Sequence, residues 1–413
     1  MRTILLGICI LIASAGWAQR ECAGPEYLAQ QSSLDPGLPL RMKAIDNFIQ
    51  QQPSAKMFGE EANVIRIPVV IHVLYNTPAQ NISDTQIKTQ LQVLNNDFRR
   101  KNADSVNTPD RFKMLAADVQ VEFVLATADP DGRKTSGIVR KQTNVAEWKL
   151  DDKIKFSAHG GDDAWDSRYY LNIWVGNFGR ILGYSSMPGC APEKDGVAIN
   201  STAFGTINVS APYHLGRTTV HEVGHWLGLR HIWGDTYCGD DMVDDTPKQG
   251  NFTSGCPTGF RTSCGNSATG DMYMNFMDYT SDACINLFTH GQKQRMLALF
   301  NSGGPRHQML SSKGLNTPWN HSIPEPVVEA PTGDQDFQVY PNPAINEMVM
   351  DFEYDETWIG KTVYIVNMNG VVVKKLLVKN KLQKLDIASL QPGMYFIQGN
   401  NGSGKIRQKF IRL

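Results

Sequence analysis

The alternation of apolar and polar positions predicts an α/β layer in the first half of the chain. Residues 64–75 (VIRIPVVIHVLY) form a β-branched run typical of a buried strand, or of an edge strand that tolerates Pro68. Residues 83–101 place their apolar side chains on one stripe, which predicts an amphipathic helix. Residues 119–127 and 169–178 have the composition of two further strands. This order predicts an α/β or α+β domain with a mixed sheet.

A less apolar stretch, residues 182–188 (LGYSSMP), follows the last of these strands after a short turn that contains glycine. Its composition predicts the edge strand of the sheet. An exposed edge can hold an extended peptide by adding it as a further strand. An ordinary hairpin strand is the alternative interpretation of the same residues.

Residues 218–227 predict a helix that carries two metal ligands. His221 and His225 are four residues apart, so their imidazoles lie on one face and can reach one ion. Glu222 lies about 100° around the helix, beside the ion rather than on it. That position is suited to a general base that acts on a metal-activated water.

Gly228 explains how a third ligand joins two that share a helix. A glycine at this point can take positive φ, end the helix and return the chain, which brings His231 towards the same ion. Three neutral imidazoles leave the metal with an open position, which is typical of catalytic zinc. The alternative is a chance match, and a third histidine at this spacing argues against it.

The N-terminus predicts export. Residues 1–18 combine Arg2, an apolar run and small residues, as a secretory signal peptide does. Residues 19–60 are polar with one helical stripe and are interpreted as a pro-segment; a simple N-terminal extension of the next domain is the alternative. Residues 61–310 are expected to form that domain.

A loop over residues 237–284 contains four cysteines and almost no apolar periodicity, so it needs covalent or ionic ties. Four cysteines allow three pairings. A calcium site or a solvated acidic turn would explain its acids, because hard oxygen ligands are what calcium prefers. The candidate ligands are Asp241, Asp244 and Thr246.

The C-terminal third predicts a second domain. Residues 289–300 are expected to form a short closing helix, and residues 311–336 contain four prolines and are interpreted as a linker. Residues 337–413 alternate in the pattern of strands with turns every few residues, including Asn369-Gly370 as a hairpin signal. This pattern predicts a small all-β sandwich.

Charge and hydropathy argue against a nucleic-acid partner and against a membrane span beyond the signal peptide. The 413 residues carry a net charge of −1, with no basic run interleaved with aromatics, which argues against nucleic acid as a partner. No apolar run beyond the signal peptide is long enough to span a membrane.

The motif HEVGHWLGLRH at 221–231, followed by NFMDY at 275–279, resembles the metzincin zinc endopeptidases and the pappalysin family in particular. The resemblance implies a metzincin-like fold with an active-site helix. It also implies that Met277 forms the floor beneath the metal and that Tyr279 donates to the oxyanion. It favours calcium in the acidic loop and disulfides that pair Cys238 with Cys264 and Cys256 with Cys284.

The tail resembles the C-terminal sorting domain of the type IX secretion pathway through YPNP near its start, LQPGMYFIQ and a basic final strand. This resemblance covers about the last 77 residues and implies passage across an outer membrane by its secretion machinery. A carbohydrate-binding or protein-binding module is the alternative.

Two residues carry more specific hypotheses. Cys22 lies in the predicted pro-segment, where a thiolate could take the open metal position and keep the enzyme latent. A disulfide between Cys22 and Cys190 is the alternative. The resemblance to metzincins implies that Asp282, five residues past Met277, lies in the wall of the primed-side pocket, where an acid would favour Lys or Arg just after the cleaved bond. An exposed loop acid or a calcium ligand is the alternative.

These observations predict a secreted or cell-surface zinc endopeptidase that acts on extracellular proteins or peptides. The alternative from another class is a secreted binding protein whose catalytic domain persists only as a scaffold. The complete set of candidate ligands argues against it.

Overall fold

The computed structural model describes residues 22–52, 64–320, 338–352, 356–367, 371–401 and 405–413. The chain divides into two compact units, Met1–Ile323 and Pro324–Leu413. The predicted signal peptide, residues 19–21 and 53–60 of the predicted pro-segment, most of the predicted linker and the Asn369-Gly370 turn lie outside the described residues.

Two helices precede the sheet, α1 (Gly24–Leu34) and α2 (Leu38–Gln50). The stripe of Ile45 and Ile49 predicts α2, and both side chains pack against the main core. Helix α1 has little apolar periodicity and was not predicted. It buries Tyr27 and Gln31, so tertiary contacts rather than an apolar stripe determine where it lies.

A mixed sheet of six strands organises the first unit. The strand order is β2-β1-β4-β6-β5, and β3 pairs with the second half of β1. All pairings are parallel except that of β5 with β6. The predicted fold class is confirmed. The strands are β1 (Ile65–Tyr75), β2 (Val121–Leu125), β3 (Ile138–Gln142), β4 (Leu171–Gly176), β5 (Gly183–Ser185) and β6 (Val197–Asn200).

Strand β5 forms the antiparallel edge of the sheet, within the stretch that the sequence predicts as an edge. Strand β1 is central, although Pro68 lacks a backbone donor. Its pairing with β4 begins at Val69, so Pro68 lies just before that ladder.

Four helices accompany the sheet: α3 (Asp84–Phe98), α4 (Asp110–Lys113), α5 (Arg217–Trp226) and α6 (His290–Ala298). Helices α3 and α5 share one core with alternate residues of β1, such as Val69 and Ile71. The intervening residues face the other side, where Leu74 packs in a separate cluster with Trp174 and Tyr184. The period of two in a strand therefore separates the face that carries α5 from the face beneath α1.

The second unit has two antiparallel sheets, ordered β10-β9-β12-β13 and β11-β8-β7. Buried side chains from both sheets, including Met350, Ile365 and Phe410, make one core, as in the predicted sandwich. The strands are β7 (Gln338–Tyr340), β8 (Glu347–Asp351), β9 (Thr362–Asn367), β10 (Val372–Leu377), β11 (Leu382–Asp386), β12 (Gly393–Asn400) and β13 (Lys405–Arg412).

Residues 312–320, within the predicted linker, attach to the first unit. The backbone N–H groups of Thr127 and Ala128 donate to the Gly314 carbonyl, and Trp319 N–H donates to the Gly132 carbonyl. Among the described residues, no helix combines the length and the apolarity needed to cross a lipid bilayer.

Candidate active site

Helix α5 and the turn after it bring three histidines together. Every residue of α5 is buried, and Gly228 follows it with φ of +82°. This left-handed conformation returns the chain at low steric cost, and Leu229 N–H then donates to the Gly224 carbonyl at 3.0 Å. His231 consequently lies beside the histidines of the helix.

The three Nε2 atoms converge on one point. They lie 3.1 Å apart for His221 and His225, 3.1 Å for His225 and His231, and 3.2 Å for His221 and His231. Two nitrogens bound at about 2.0–2.1 Å to one tetrahedral zinc lie about 3.3–3.4 Å apart. The spacing therefore fits a single zinc ion.

Each of these rings has an acceptor at its other nitrogen. Nδ1 of His221 lies 2.7 Å from the Phe276 carbonyl, and Nδ1 of His225 lies 2.9 Å from the Leu229 carbonyl. With a proton on each Nδ1, the three Nε2 atoms present only lone pairs to each other. Such an arrangement is repulsive by itself and fits a cation at its centre. Burial, and next His231, lower the pKa of His225 to about 3, which keeps it in the neutral form that binds metal.

The third ring is oriented by Asp235, which sequence reasoning missed. Its Oδ1 lies 2.5 Å from Nδ1 of His231. Burial acts to raise the pKa of Asp235, but the contact with His231 outweighs it and the pKa is lowered. The spacing of four residues past a candidate ligand could have identified this acid, because metal-binding histidines commonly donate to a carboxylate.

Met277 packs directly beneath α5. A Cβ added at Gly224 would lie 2.6 Å from Met277 Sδ, so the sulfur fills the space that glycine leaves in the helix. Met277 is fully buried, and the preceding residue, Phe276, supplies the carbonyl that orients His221. The NFMDY segment thus both supports the helix and orients one ring.

Cys22 lies over the histidines. Its Sγ is 4.0 Å from Nε2 of His225, and one donor atom from each of Cys22 and the three histidines fits within 4.8 Å. Burial and the nearby Glu222 carboxylate raise the pKa of the Cys22 thiol. A thiolate there therefore needs a cation beside it. Cys22 and Cys190 are both free, so the alternative disulfide is not formed.

The residues around Cys22 approach the sheet edge. Ala23 N–H donates to the Gly183 carbonyl of β5 at 3.2 Å, and Cys22 forms a parallel bridge with Gly183. Glu222 is fully buried, and its Cγ lies 3.1 Å from where a Gly183 Cβ would be. Tyr279 Oη donates to the Cys22 carbonyl at 3.1 Å. The cysteine, the glutamate, the tyrosine and the edge strand therefore meet at one place.

Asp46 of α2 is a second residue that sequence reasoning missed, and it contacts the active-site region. Its carboxylate pairs with Arg230 at 2.6 Å and also with Arg295. Arg295 Nε in turn donates to the Gly228 carbonyl at 2.7 Å. No local pattern identifies this acid, because its partners lie 184 and 249 positions away.

The acidic loop is held by two disulfides, Cys238–Cys264 and Cys256–Cys284, the same pairs that the resemblance implies. Thr246 Oγ1 lies 2.8 Å from Asp241 Oδ2, whereas Asp244 is exposed. Burial raises the pKa of Asp241 to about 7.

The Asp282 side chain is not on an exposed loop but packs against the first residues of α5. It is fully buried, and its Oδ2 accepts from Leu215 N–H at 2.9 Å and from Arg217 N–H at 3.3 Å. Arg217 also donates to the Asp282 carbonyl at 2.6 Å. In this arrangement the carboxylate supports the N-terminus of the helix that carries the histidines.

Comparison with known proteins gives the same picture. The family described as pregnancy-associated plasma protein-A matches residues 157–301, and the secretion system C-terminal sorting domain matches residues 338–412. An extracellular metalloprotease of Pyricularia oryzae is 32% identical over 58% of this chain and 76% of its own length. One of Colletotrichum graminicola is 33% identical over 61% of this chain and 82% of its own.

Two solved structures from Tannerella forsythia are similar to the chain. Mature mirolysin in complex with a cleaved peptide is 50% identical, with a TM-score of 0.59 over 60% of this chain and 96% of that one. A promirolysin mutant is 46% identical, with a TM-score of 0.65 over 71% of this chain and 97% of that one. The chain therefore belongs to the pregnancy-associated plasma protein-A, or pappalysin, family of metzincin metalloproteases, and is a secreted zinc endopeptidase, made as a zymogen, with a C-terminal secretion sorting domain.

Proposed function

We propose that His221, His225 and His231 hold the catalytic zinc and that Glu222 is the general base of peptide-bond hydrolysis. The observation that carries this assignment is the convergence of three Nε2 atoms within 3.2 Å, with an acceptor at each Nδ1. Zinc, when bound, polarises the scissile carbonyl and makes a water more acidic. Glu222 is buried beside this point, where it can take the proton and later pass it to the leaving nitrogen.

Tyr279 and Met277 have supporting roles in this proposal. Tyr279 already donates to a backbone carbonyl, that of Cys22, and we infer that it donates in the same way to the oxyanion of a substrate. Met277 is the apolar floor that keeps α5 and the histidine rings in place. Neither residue needs to contact the metal for these roles.

Cys22 is proposed as the latency switch. Its sulfur lies near the three histidines and beside Glu222. In the active enzyme this place would hold the water that Glu222 activates. The free state of both Cys22 and Cys190 supports this interpretation over a disulfide. Removal of residues 19–60 is then the activating event, and residues 61–310 are the proposed mature catalytic domain. Residues 337–413 are proposed as the signal by which the type IX machinery carries the protein across the outer membrane.

Two further assignments concern the acidic loop and Asp282. Calcium in the acidic loop is proposed on Asp241, Asp244 and Thr246. Thr246 Oγ1 and Asp241 Oδ2 lie 2.8 Å apart, and Asp244 is exposed. Added calcium should raise the unfolding temperature of the zinc-loaded protein, and equal amounts of magnesium should not; no difference between the two ions would contradict the site. The proposed preference for Lys or Arg after the cleaved bond rests on Asp282.

The deciding experiment measures zinc content together with casein hydrolysis, with and without o-phenanthroline. One zinc per processed chain and chelator-sensitive hydrolysis are expected. One bound zinc without turnover, even after removal of the pro-segment, would instead indicate a silent scaffold that serves as a binding protein.

A further inference from the structure

Tyr27 of the pro-segment fills a polar pocket that the catalytic domain builds. Its ring is buried, and its hydroxyl lies 2.9 and 3.1 Å from the two carboxylate oxygens of Asp152. Lys155 Nζ lies 3.2 Å from the same hydroxyl. The phenol therefore donates to the acid and accepts from the ammonium group.

The two charges at the bottom of this pocket are themselves buried. The side chains of Lys155 and Asp152 are 0% and 2% exposed, and their charged atoms lie 2.9 Å apart. Lys155 Nζ also donates to the Lys194 carbonyl at 2.8 Å and lies over the Trp174 and Tyr184 rings. A buried ion pair is costly to build unless its remaining hydrogen-bonding capacity is used, and a phenol hydroxyl uses it from both sides.

The ring of the tyrosine is recognised as well. The Tyr27 and Tyr184 ring centroids are 4.6 Å apart, and Lys155 Nζ lies 5.2 Å from the centre of the Tyr27 ring. Burial and the Asp152 carboxylate raise the pKa of both tyrosine hydroxyls, so both stay protonated. Every wall of the pocket named here belongs to residues 152–194, which remain after the pro-segment leaves.

The pocket adjoins the edge where a substrate would bind. Tyr184 follows Gly183 in β5, and Gly183 is the residue to which Ala23 bonds. Successive side chains of a strand point to opposite faces, so Gly183 faces Glu222 and Tyr184 faces the pocket. An extended peptide on this edge likewise directs alternate side chains to the zinc side and to the pocket side.

We propose that the pocket formed by Asp152, Lys155 and Tyr184 is a substrate subsite of the mature enzyme that selects a tyrosine side chain, and that Tyr27 occupies it as a substrate mimic in the zymogen. This inference rests on the proposed function, because it assumes that peptides are cleaved along the β5 edge. The ligand of this subsite is the phenol of tyrosine, since phenylalanine would leave Asp152 and Lys155 without the hydroxyl that bonds to both.

The test uses the mature enzyme and internally quenched peptides that carry tyrosine or phenylalanine at each position around one cleavable bond. At one position, tyrosine should raise kcat/KM at least about tenfold over phenylalanine, as expected when a buried hydrogen-bonding site loses its partner. Ratios near one at every position would overturn the subsite. Failure to cleave any peptide would count against the proposed function instead.

A substitution locates the effect. Asp152→Asn should bring the tyrosine-to-phenylalanine ratio at that position to within about threefold of one. Asp152 has φ of +60°, and asparagine accepts this conformation readily. The control, Asp151→Asn, changes the neighbouring, partly exposed acid that pairs with Lys153 and should keep the ratio. An unchanged ratio in Asp152→Asn, with normal thermal unfolding, would contradict the assignment.

Tyr27→Phe tests the mimic without altering the mature enzyme at all. The variant zymogen should activate several-fold faster than the parent, because the pro-segment loses its hold on the ion pair. Gln30→Ala, an exposed position on the same helix, should activate at the parental rate. Equal rates for all three zymogens would remove the role of Tyr27.

Discussion

Two regions are assembled over very different distances along the chain: the zinc site, and the contact between the pro-segment and the catalytic domain, here called the pro-segment contact. The three histidines lie within eleven positions, on one helix and the turn after it. The pro-segment contact joins Cys22 to His225 over 203 positions and Asp46 to Arg230 over 184. The first follows from local helix and turn geometry, whereas the second exists only in the folded molecule.

The two regions have different roles: the zinc site carries out the hydrolysis, and the pro-segment contact controls whether substrate can reach it. Changes in the zinc site should remove turnover whether or not the pro-segment is present. Changes in the pro-segment contact should alter the zymogen and leave the mature enzyme as it was. Each substitution below can therefore be assigned to one region by comparing the two forms.

The largest effect is expected for Glu222→Ala. Turnover should fall at least about 10²-fold while zinc content stays at the parental level, because the glutamate is not a ligand. His231→Ala should lose zinc and activity together. Metal analysis and casein hydrolysis of the processed variants measure both; activity of Glu222→Ala within about tenfold of the parent would rule out the general base.

Asp235→Ala tests whether the acid orients its ring. Zinc affinity should fall about 10- to 100-fold, the usual effect of removing a partner of a metal-bound histidine. Competition with a zinc-binding dye provides the measurement, and Asp240→Ala, an exposed acid on the same loop, is the control. Equal affinities in the two variants would show that Asp235 has no such role.

Cys22→Ala should act on the other region. We expect the unprocessed protein to gain activity by at least about tenfold or to process itself faster, since no thiolate then occupies the open position. The mature enzyme should be unchanged. Thiol titration of the parent zymogen should find Cys22 free or bound to zinc. Peptide mapping that recovers Cys22 joined to Cys190, with latency unchanged in the variant, would exclude the switch.

Asp46→Asn should have a smaller effect in the same direction. Its carboxylate is 14% exposed and pairs with Arg230 and Arg295, so activation should accelerate by about tenfold or less. The matched control is Asp35→Asn, because Asp35 is 41% exposed and pairs within the pro-segment with Arg41. Activation time courses of the two variants give the comparison. Indistinguishable rates would argue that the contact does not contribute to latency.

The smallest effect is expected in the cleavage profile of Asp282→Ala. The proposal predicts a weaker preference for Lys or Arg on the primed side, measured on a denatured proteome. The hydrogen bonds of Asp282 to the start of α5 predict lower thermal stability as well. A profile with no basic enrichment, or one that the substitution leaves unchanged, would restrict Asp282 to the structural role.

Local patterns were enough to predict the elements with strong periodicity. Strand β1 and helix α3 lie within the predicted stretches, and helix α5 begins one residue before its predicted stretch, at Arg217. The edge at β5 was expected from its weaker apolar character. Strands β3 and β6 were not predicted, since one is largely polar and the other spans only four residues, Val197–Asn200. Their neighbours in the sheet, rather than their own composition, make them strands.

The candidate zinc site can be predicted from the sequence alone, because a helix of 3.6 residues per turn and a glycine with positive φ bring nearby residues together whatever surrounds them. The residues that cover this site are brought there by tertiary contacts. Asp46 and Tyr27 have no local sign of their partners, and the burial of Asp282 depends on where the chain returns to the start of α5. Contacts between distant positions depend on how the sheet packs, and no short-range periodicity encodes that packing.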